Sequence, residues 1–311
     1  MTCVRIGAIV LLSATAAFAQ NGRPQQDVEP AGKTSAATFD FTASAGLEYI
    51  FGSDINDGGD FELLRGTVGI SGTTALTENL DMTLLADYEF AEYDWNGETG
   101  LGSREPWDSV HTIGFGALLT LRPYNEWAIF GGPILRFSGE SDADFGESFT
   151  AGGLVGASYQ VSDELLLGAG VGGMTQIEDK VRWFPVIVLD WEFLNDVRLT
   201  SRTAASTVGR TGLEIVYDVS REWEVAIGGA REKRRFRLDD GGDFPGGVGE
   251  DVGWPVWARL SYQPNPNLEL TLYGGVIADG NFGVDDDGGH QLSYKDYDPA
   301  GLIGFTANLR F

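Results

Sequence analysis

Apolar and polar residues alternate along most of the chain from Thr38 onward. The clearest segment is 82–90, where Met, Leu, Ala, Tyr and Phe take every second position and Thr, Leu, Asp and Glu take the others. A period of two is typical of a β-strand with one apolar and one polar face. The same alternation returns at 213–219 and 268–274. The pattern therefore predicts β-structure throughout the chain after residue 37.

This alternation divides the chain into about fourteen segments, and most of them are long enough to cross a membrane as tilted strands. Roughly nine to eleven tilted residues span a bilayer core, whereas strands of soluble proteins usually have about five or six residues. Strand length therefore favours a membrane protein over a soluble β-sandwich. The predicted strands are 38–51, 61–76, 81–94, 108–122, 127–139, 148–161, 165–176, 181–194, 197–205, 211–219, 223–237, 252–263, 268–278 and 292–311.

The connections between the predicted strands alternate in length. Those after even-numbered strands are tight, as at 195–196, whereas most of those after odd-numbered strands are long and acidic, as at 95–107 and 238–251. The connections near 177–180 and 206–210 are exceptions. Short turns on one rim and long loops on the other are typical of outer-membrane barrels. The sequence thus predicts an all-β fold, a closed antiparallel transmembrane β-barrel of about fourteen strands, with twelve or sixteen strands as alternatives.

The N-terminal residues lack this alternation. Arg5 precedes an apolar run at 6–18, and Ala17-Phe18-Ala19 ends the run. A short apolar run that ends in a small-residue cleavage site is the pattern of a secretory signal peptide. We therefore predict a signal peptide at 1–19, a flexible periplasmic leader or a short plug at 20–37, and the barrel at 38–311.

The composition narrows the class of partner. The chain has 46 acidic and 21 basic residues, a net charge of -25, and is rich in glycine and aromatic residues. Such an excess of acid excludes nucleic-acid binding, because few cations are available to neutralise phosphates. The aromatic content argues against a disordered acidic chain. No cofactor is predicted, and the sequence does not define an oligomeric state.

Charged residues of both signs fall on the predicted inner face of the barrel. Such residues line the water path of a channel, where rings of charge set ion preference. In a plugged barrel the same residues would fill the interior as a salt-bridge network. The leading hypothesis is a passive, porin-like channel for small solutes or ions, and the alternative is a plugged structural or binding barrel that presents acidic extracellular loops. The candidate lumen-lining residues are Arg65, Asp87, Glu89, Arg136, Arg182, Asp190, Arg198, Arg202, Glu214, Asp218 and Arg259.

Catalytic and metal-binding motifs are weak. The chain has two histidines, His111 and His290, without a Gly-x-Ser-x-Gly elbow or a metal-spaced histidine pair. His290 follows the acidic run at 285–287 and is the one candidate for a barrel enzyme. We predict no enzyme activity and no metal site.

A single basic stretch at 231–237 stands out in this acidic chain. It directly precedes an acidic loop at 239–243. We expect its cations to pair with those acids, and the alternative is a contact with anionic lipopolysaccharide or an anionic solute at the mouth.

The chain ends on an apolar face that carries Phe305, Leu309 and Phe311. This ending resembles the C-terminal signal strand of Gram-negative outer-membrane barrels, which the barrel-assembly machinery reads. The motifs LGAGVG at 167–172, RFRLD at 235–239, PVWARL at 255–260 and DYDP at 296–299 resemble a family of outer-membrane barrels of unknown function. The resemblance implies an outer-membrane location, lipid and lipopolysaccharide as partners, and assembly by that machinery. It implies no catalytic residues.

Overall fold

A computed structural model describes residues 39–56, 58–178, 180–201 and 211–311, and of Thr211 only the backbone. The predicted signal peptide and the predicted leader lie outside these residues. No helix in the described ranges is long and apolar enough to cross a membrane. The strands are β1 (Asp40–Asp54), β2 (Asp60–Thr77), β3 (Leu80–Asn96), β4 (Ser109–Tyr124), β5 (Trp127–Glu140), β6 (Phe149–Ser162), β7 (Leu165–Thr175), β8 (Val181–Leu194), β9 (Val197–Thr200), β10 (Thr211–Asp218), β11 (Trp223–Arg237), β12 (Val248–Asn265), β13 (Leu268–Asp285), β14 (Gln291–Tyr297) and β15 (Ala300–Arg310).

The strands form one closed antiparallel barrel. From β1 to β13 each strand pairs with the next, and β15 pairs with both β13 and β1. β14 pairs with the outer end of β13, so β14 and β15 occupy one position in the wall. Fifteen strands with two in one position give a wall of fourteen. The predicted fold and the predicted number of fourteen strands are confirmed. The alternative numbers, twelve and sixteen, are wrong.

The two rims differ as the sequence predicts. Tight turns such as 78–79, 163–164 and 195–196 lie on the rim where β1 begins and β15 ends, which we call the short-turn rim. Longer segments such as 97–108 and 238–247 lie on the opposite, long-loop rim.

The outer face of the wall is apolar. Leu84, Leu213 and Leu272, which the alternation places on that face, are exposed. Near the short-turn rim, Trp223 stacks on Tyr262 with 4.5 Å between ring centroids. Aromatic residues at this position are typical of the girdle of a membrane barrel. The exposed apolar face and its girdle fit a bilayer environment.

Trp95 and Trp107 stand at the ends of predicted strands on the long-loop side, where aromatic residues of a membrane barrel usually form a girdle, but they lie inside the barrel. Trp95 is on the inward face of β3, and its indole N–H donates a 2.5 Å hydrogen bond to the carbonyl oxygen of Trp107. Trp107 is 1% exposed. The loop after β3 therefore folds inward, which its position in the sequence alone does not reveal.

Pro133, Pro185 and Pro255 lie inside β5, β8 and β12, where a proline removes a ladder hydrogen bond. On either side of Pro133 the β4–β5 ladder keeps one register, with Gly116 opposite Ile134 and Leu119 opposite Gly131. The two positions between these pairs are skipped. Because proline lacks an N–H, the ladder loses hydrogen bonds there without a shift.

Gly132 allows β4 and β5 to approach at this interruption. A Cβ atom at Gly132 would overlap the backbone carbonyl oxygen of Ala117, whereas a Cβ atom at Gly274 would lie 3.5 Å from its nearest neighbour, the carbonyl oxygen of Leu302. We expect Gly132→Ala to lower the free energy of unfolding by about 1–3 kcal/mol, the usual cost of overpacking. Gly274→Ala, the control, should change it by less than ~0.5 kcal/mol. Urea unfolding in detergent micelles measures the free energy of unfolding of both variants. Equal losses would show that the close approach of β4 and β5 at Gly132 is not the cause.

Candidate functional site

The interior narrows toward the long-loop rim. Gly139 of β5 and Arg237 of β11 form a parallel bridge there, although β6 to β10 separate these strands around the wall. Ile55, which follows β1, forms a second bridge with Tyr297 of β14. A ring of about eight strands has an interior that side chains can fill. The bridge between β5 and β11 gives the long-loop half a narrow interior of this kind.

Aromatic side chains from distant strands fill this half. Phe282 of β13 is central, with ring centroids 4.7 Å from Phe61, 4.8 Å from Tyr297 and 5.0 Å from Trp95. Trp107 lies 5.1 Å from Phe236 of β11. These separations are typical of favourable aromatic pairs. We call the buried set the aromatic plug: Phe61, Trp95, Trp107, Phe236, Phe282 and Tyr297.

Ion pairs join opposite walls on the short-turn side of the plug. Arg65 of β2 contacts Glu48 of β1 at 2.7 Å and Glu232 of β11 at 3.3 Å. Four strands lie between β2 and β11 along the shorter path around the wall. Arg234, also on β11, contacts Glu89 of β3 at 2.9 Å. These contacts cross the lumen.

Tyrosine hydroxyls complete this network. Tyr93 donates a 2.9 Å hydrogen bond to Asp251, and Tyr273 donates a 3.1 Å bond to Glu48. Arg65 and Glu48 are 1% and 0% exposed, so their charges depend on these partners. We call this set the cross-lumen network: Glu48, Arg65, Glu89, Tyr93, Glu232, Arg234, Asp251 and Tyr273.

Asp87 and Arg136 lie nearer the short-turn rim than Glu89. Their buried polar atoms have fewer hydrogen bonds than those of the cross-lumen network. They occupy the same level of β3 and β5, with Gly114 of β4 between them. Both carboxylate oxygens of Asp87, and Nε and Nη2 of Arg136, are buried without a hydrogen bond to any residue in the described part of the chain. Buried polar atoms of this kind need water or a polar ligand.

A third charged group lies toward the short-turn rim. Arg198 contacts Asp218 at 2.9 Å and also pairs with Glu224. Arg259 contacts Glu214 at 3.0 Å, and the Trp257 indole N–H donates to the same carboxylate at 2.7 Å. The Arg198 side chain is 25% exposed, whereas that of Arg259 is 3% exposed. The lumen is therefore more accessible near this rim than at the cross-lumen network.

The remaining predicted lumen residues have separate positions. Arg182 is near the long-loop end of β8, close enough to Glu250 for their charges to interact. Asp190 lies on the face of β8 that carries the buried residues Val186 and Val188. Arg202 lies outside the described residues. The role of the eleven candidates as the lining of a water path stays a prediction.

Of the eight residues of the cross-lumen network, the sequence candidates included Arg65 and Glu89 and missed the other six. Glu232 and Arg234 share strand parity with Glu224, so the alternation rule could have placed them on the inner face. The same rule places Tyr93, in line with Asp87 and Glu89, and Tyr273, in line with Glu269, on the inner face. That these side chains meet across the lumen depends on the narrowing at the long-loop rim.

The basic stretch does not pair with the acids at 239–243 as expected. Strand alternation continues through it, so Arg231, Lys233 and Arg235 face outward while Glu232 and Arg234 face the lumen. The outward cations pair with other acids: Lys233 contacts Glu250 at 2.6 Å, and Arg235 contacts Glu250, Glu178 and Asp285.

The two histidines lie outside the lumen. His290 is 83% exposed, and its backbone N–H donates to Asp286, which lowers the pKa of that carboxyl. His111 contacts the Tyr88 hydroxyl at 2.7 Å and the Ser141 hydroxyl at 3.0 Å. Within the described ranges, no group of three or more His, Cys, Asp and Glu residues is arranged to hold a metal ion.

Comparison with known proteins yields matches of structure and not of sequence. No protein-family profile matches this chain, and no curated protein matches it. An outer-membrane channel from Pseudomonas putida F1 is 9% identical with a TM-score of 0.46, over 92% of this chain and all of that one. The toluene transporter TodX from P. putida is 9% identical with a TM-score of 0.42, over 88% and 89% of the two chains. The NanC porin is 12% identical with a TM-score of 0.34, over 85% and 98%. The solved structures to which this chain is similar are outer-membrane barrels.

Proposed function

We propose that this protein is an outer-membrane channel that its own side chains hold shut near the long-loop rim. The observation that carries the proposal is the pair of ionic contacts between opposite walls, Arg65 with Glu232 and Arg234 with Glu89. The passing solutes would be small and water-soluble, because charges of both signs surround the interior on the short-turn side.

Three features support a place in the outer membrane. The barrel closes on itself, which is the one way for strands to satisfy their backbone groups in lipid. Its outward face exposes apolar side chains. Residues 1–19 carry the pattern of an export signal.

The chemistry of the cross-lumen network favours contacts that can open and close over side chains that fill the lumen permanently. Apolar side chains of similar volume fill an interior at equal or lower free energy than buried ion pairs do. Ion pairs between opposite walls can instead part and become hydrated, since each charge regains water when the lumen widens. The unsatisfied atoms of Asp87 and Arg136 beside the network also call for water in the interior.

The aromatic plug favours a second candidate, a barrel that stays closed and presents its acidic loops. Its rings pack at interior-like separations and are hardly exposed. Such packing costs several kcal/mol to open, in the range of about 3–5 kcal/mol for the loss of one large aromatic side chain.

Single-channel recording separates the two candidates. We expect the wild-type protein in a planar bilayer to be closed for most of the time, with brief openings. Glu89→Gln should raise the open probability by about tenfold or more, because a hydrogen bond to a charged group contributes about 1.5–3 kcal/mol. Glu126→Gln, in an exposed turn on the short-turn rim, removes the same charge outside the lumen and serves as the control.

The outcomes are distinct. If wild type and Glu89→Gln are both silent while folded, the protein is the closed barrel. A steady large conductance of the wild type would contradict the shut lumen, and an equal response to Glu126→Gln would contradict the role of the network.

A further inference from the structure

Hydrogen bonds connect four polar side chains on the outward side of β3, β4 and the residue after β5. Nδ1 of His111 lies 2.7 Å from the Tyr88 hydroxyl oxygen, and Nε2 lies 3.0 Å from the Ser141 hydroxyl oxygen. The Ser109 hydroxyl oxygen lies 2.6 Å from that of Ser141. A serine hydroxyl on one nitrogen of a histidine, with a third group holding the other nitrogen, is the arrangement of an activated nucleophile. We call this set the serine–histidine site: Tyr88, Ser109, His111 and Ser141.

The wall of the barrel holds this site in place. His111 lies inside β4 and Tyr88 lies inside β3. Ser141 directly follows β5, and its backbone N–H donates a 3.1 Å hydrogen bond to the carbonyl oxygen of Ser109 at the start of β4. Ser141 is exposed, whereas His111 and Tyr88 are half-buried. The nucleophile is therefore accessible from outside the barrel, while its base and the group that orients the base are fixed.

The serine–histidine site lies at the edge of the apolar band of the outer face. The outward residues of β4 are apolar from Leu121 to Ile113, which are eight residues apart. This separation is roughly 26 Å along the strand, or about 20 Å across the membrane for a tilt of about 40°, close to the ~25 Å height of the band of a membrane barrel. His111 is the next outward residue of β4, and Glu92 of β3, beyond it toward the long-loop rim, is exposed. The site therefore lies where acyl chains meet headgroups.

Apolar side chains cover the wall on the membrane side of the site. Phe115 and Leu135, which are opposite each other on β4 and β5, are 45% and 40% exposed. Phe137 stacks on Phe145 with 4.2 Å between ring centroids. The ester groups of a membrane lipid lie between its acyl chains and its headgroup. A lipid whose chains pack on these residues therefore brings its esters to the level of Ser141.

The surface on the water side of the site is acidic. Glu92, Asp94 and Asp142 are all exposed there. Carboxylates repel a headgroup that has a net negative charge, because like charges raise the free energy of the complex. The surroundings of the site therefore favour a lipid without net charge.

We propose that Ser141 and His111 hydrolyse a carboxylic ester of a membrane lipid that has no net charge, and that Tyr88 orients the imidazole. The sequence alone predicts no enzyme activity, because these three residues are far apart in the chain and form no motif. The inference goes beyond the channel function. It rests on the barrel being in a membrane, and it holds whether the lumen opens or not.

The reaction consumes one water molecule and proceeds through an acyl-serine. Nε2 of His111 takes the proton of the Ser141 hydroxyl while its oxygen bonds to the ester carbonyl carbon, and the same proton passes to the leaving alcohol when the ester C–O bond breaks. Water then attacks the acyl-serine and gives a proton to Nε2. The fatty acid leaves, and Ser141 regains that proton. The Ser109 hydroxyl, next to the Ser141 oxygen, donates to the carbonyl oxygen on which negative charge develops.

Hydrolysis of a defined lipid tests the site. The full barrel is folded into phosphatidylcholine vesicles, and the released fatty acid is measured by mass spectrometry. Ser141→Ala and His111→Gln should each lower the rate by about 100-fold or more, since general acid–base catalysis contributes about 10²–10⁴-fold. Ser103→Ala is the control, because the exposed Ser103 hydroxyl donates to the carbonyl oxygen of Gly100 and has no histidine partner among the described residues. Its rate should equal that of the wild type.

A covalent reagent identifies the nucleophile without a lipid. Diisopropyl fluorophosphate phosphorylates an activated serine hydroxyl with loss of fluoride, and peptide mass spectrometry locates the adduct. We expect the adduct on Ser141 of the wild type and its absence from His111→Gln.

Tyr88 is a positioning residue, because it contacts the imidazole and not the lipid. Tyr88→Phe removes the hydrogen bond to Nδ1 of His111. We expect kcat to fall about tenfold with KM unchanged, since a lost hydrogen bond costs about 0.5–1.5 kcal/mol. An unchanged kcat would show that Tyr88 does not orient the base.

Three results would overturn the proposal. They are equal fatty-acid release by wild type and Ser141→Ala, release by wild type no faster than from vesicles without protein, and a wild-type protein that carries no adduct on Ser141. Faster release from lipid A, which is anionic, would overturn the assignment to lipids without net charge. Folding is checked by the shift in gel mobility between heated and unheated samples, and labelling of the wild type needs no variant. Ser141→Ala should leave the conductance unchanged, so failure of this proposal and failure of the channel are separable.

Discussion

Replacing Arg65 by alanine is expected to lower the free energy of unfolding of the barrel by about 3–5 kcal/mol. Arg65 is 1% exposed and contacts both Glu48 and Glu232. Its removal leaves two buried carboxylates without their shared cation, and it leaves a cavity where the guanidinium was. Urea unfolding in detergent micelles, followed by tryptophan fluorescence, measures the change, and the slope with urea should stay constant.

Arg122→Ala is the matched control. Arg122 pairs with Asp81 near the short-turn rim, where their side chains are 35% and 20% exposed. Exposed pairs contribute about 0–1 kcal/mol, because water and salt screen them. Equal losses in the two variants would show that Arg65 does not hold a buried network.

Deleting Phe311 is expected to remove most of the folded barrel from the outer membrane. The backbone N–H and carbonyl of Phe311 each form a 2.9 Å hydrogen bond with Phe41, and the two rings stack with centroids 5.9 Å apart. The deletion therefore removes the last contacts of the seam where β15 meets β1. It also removes the terminal aromatic group that, with Phe305 and Leu309, we propose as the assembly signal. Immunoblots of outer-membrane and periplasmic fractions measure the outcome.

Substitutions at the same position separate the signal from the seam. Phe311→Tyr keeps an aromatic ring and should assemble normally, whereas Phe311→Asp keeps the backbone hydrogen bonds and should fail. Normal yield of Phe311→Asp would show that the ring is no assembly signal. If that variant and the deletion both assemble at wild-type levels, neither the ring nor the seam contacts are needed.

The cross-lumen network explains why charges of both signs lie in the interior, which the net charge of the chain does not explain. Arg65 and Arg234 are shared among carboxylates from several strands, and Tyr93 and Tyr273 donate further hydrogen bonds to Asp251 and Glu48. Breaking one member should therefore affect both stability and opening. The Arg65 and Glu89 variants measure these two effects separately.

Much of the wall could be predicted from the sequence, because the rules involved are local. A period of two fixes which side chains of β3, β10 and β13 face outward, and loop lengths fix which rim they reach. Closure by the last strand against the first follows from an even number of antiparallel strands. The inward positions of Arg65, Glu89 and Glu214 follow from the same alternation.

What fills the interior was decided only by the tertiary structure. Alternation says that a side chain points inward, but not how far away the opposite wall is. The bridge between Gly139 and Arg237 brings β5 and β11 together, and the loop after β3 turns Trp107 inward. Both depend on contacts between residues far apart in the chain. The sequence by itself thus determined a membrane barrel with a charged inner face. The approach of distant strands decided that charged side chains of opposite walls contact each other across the lumen.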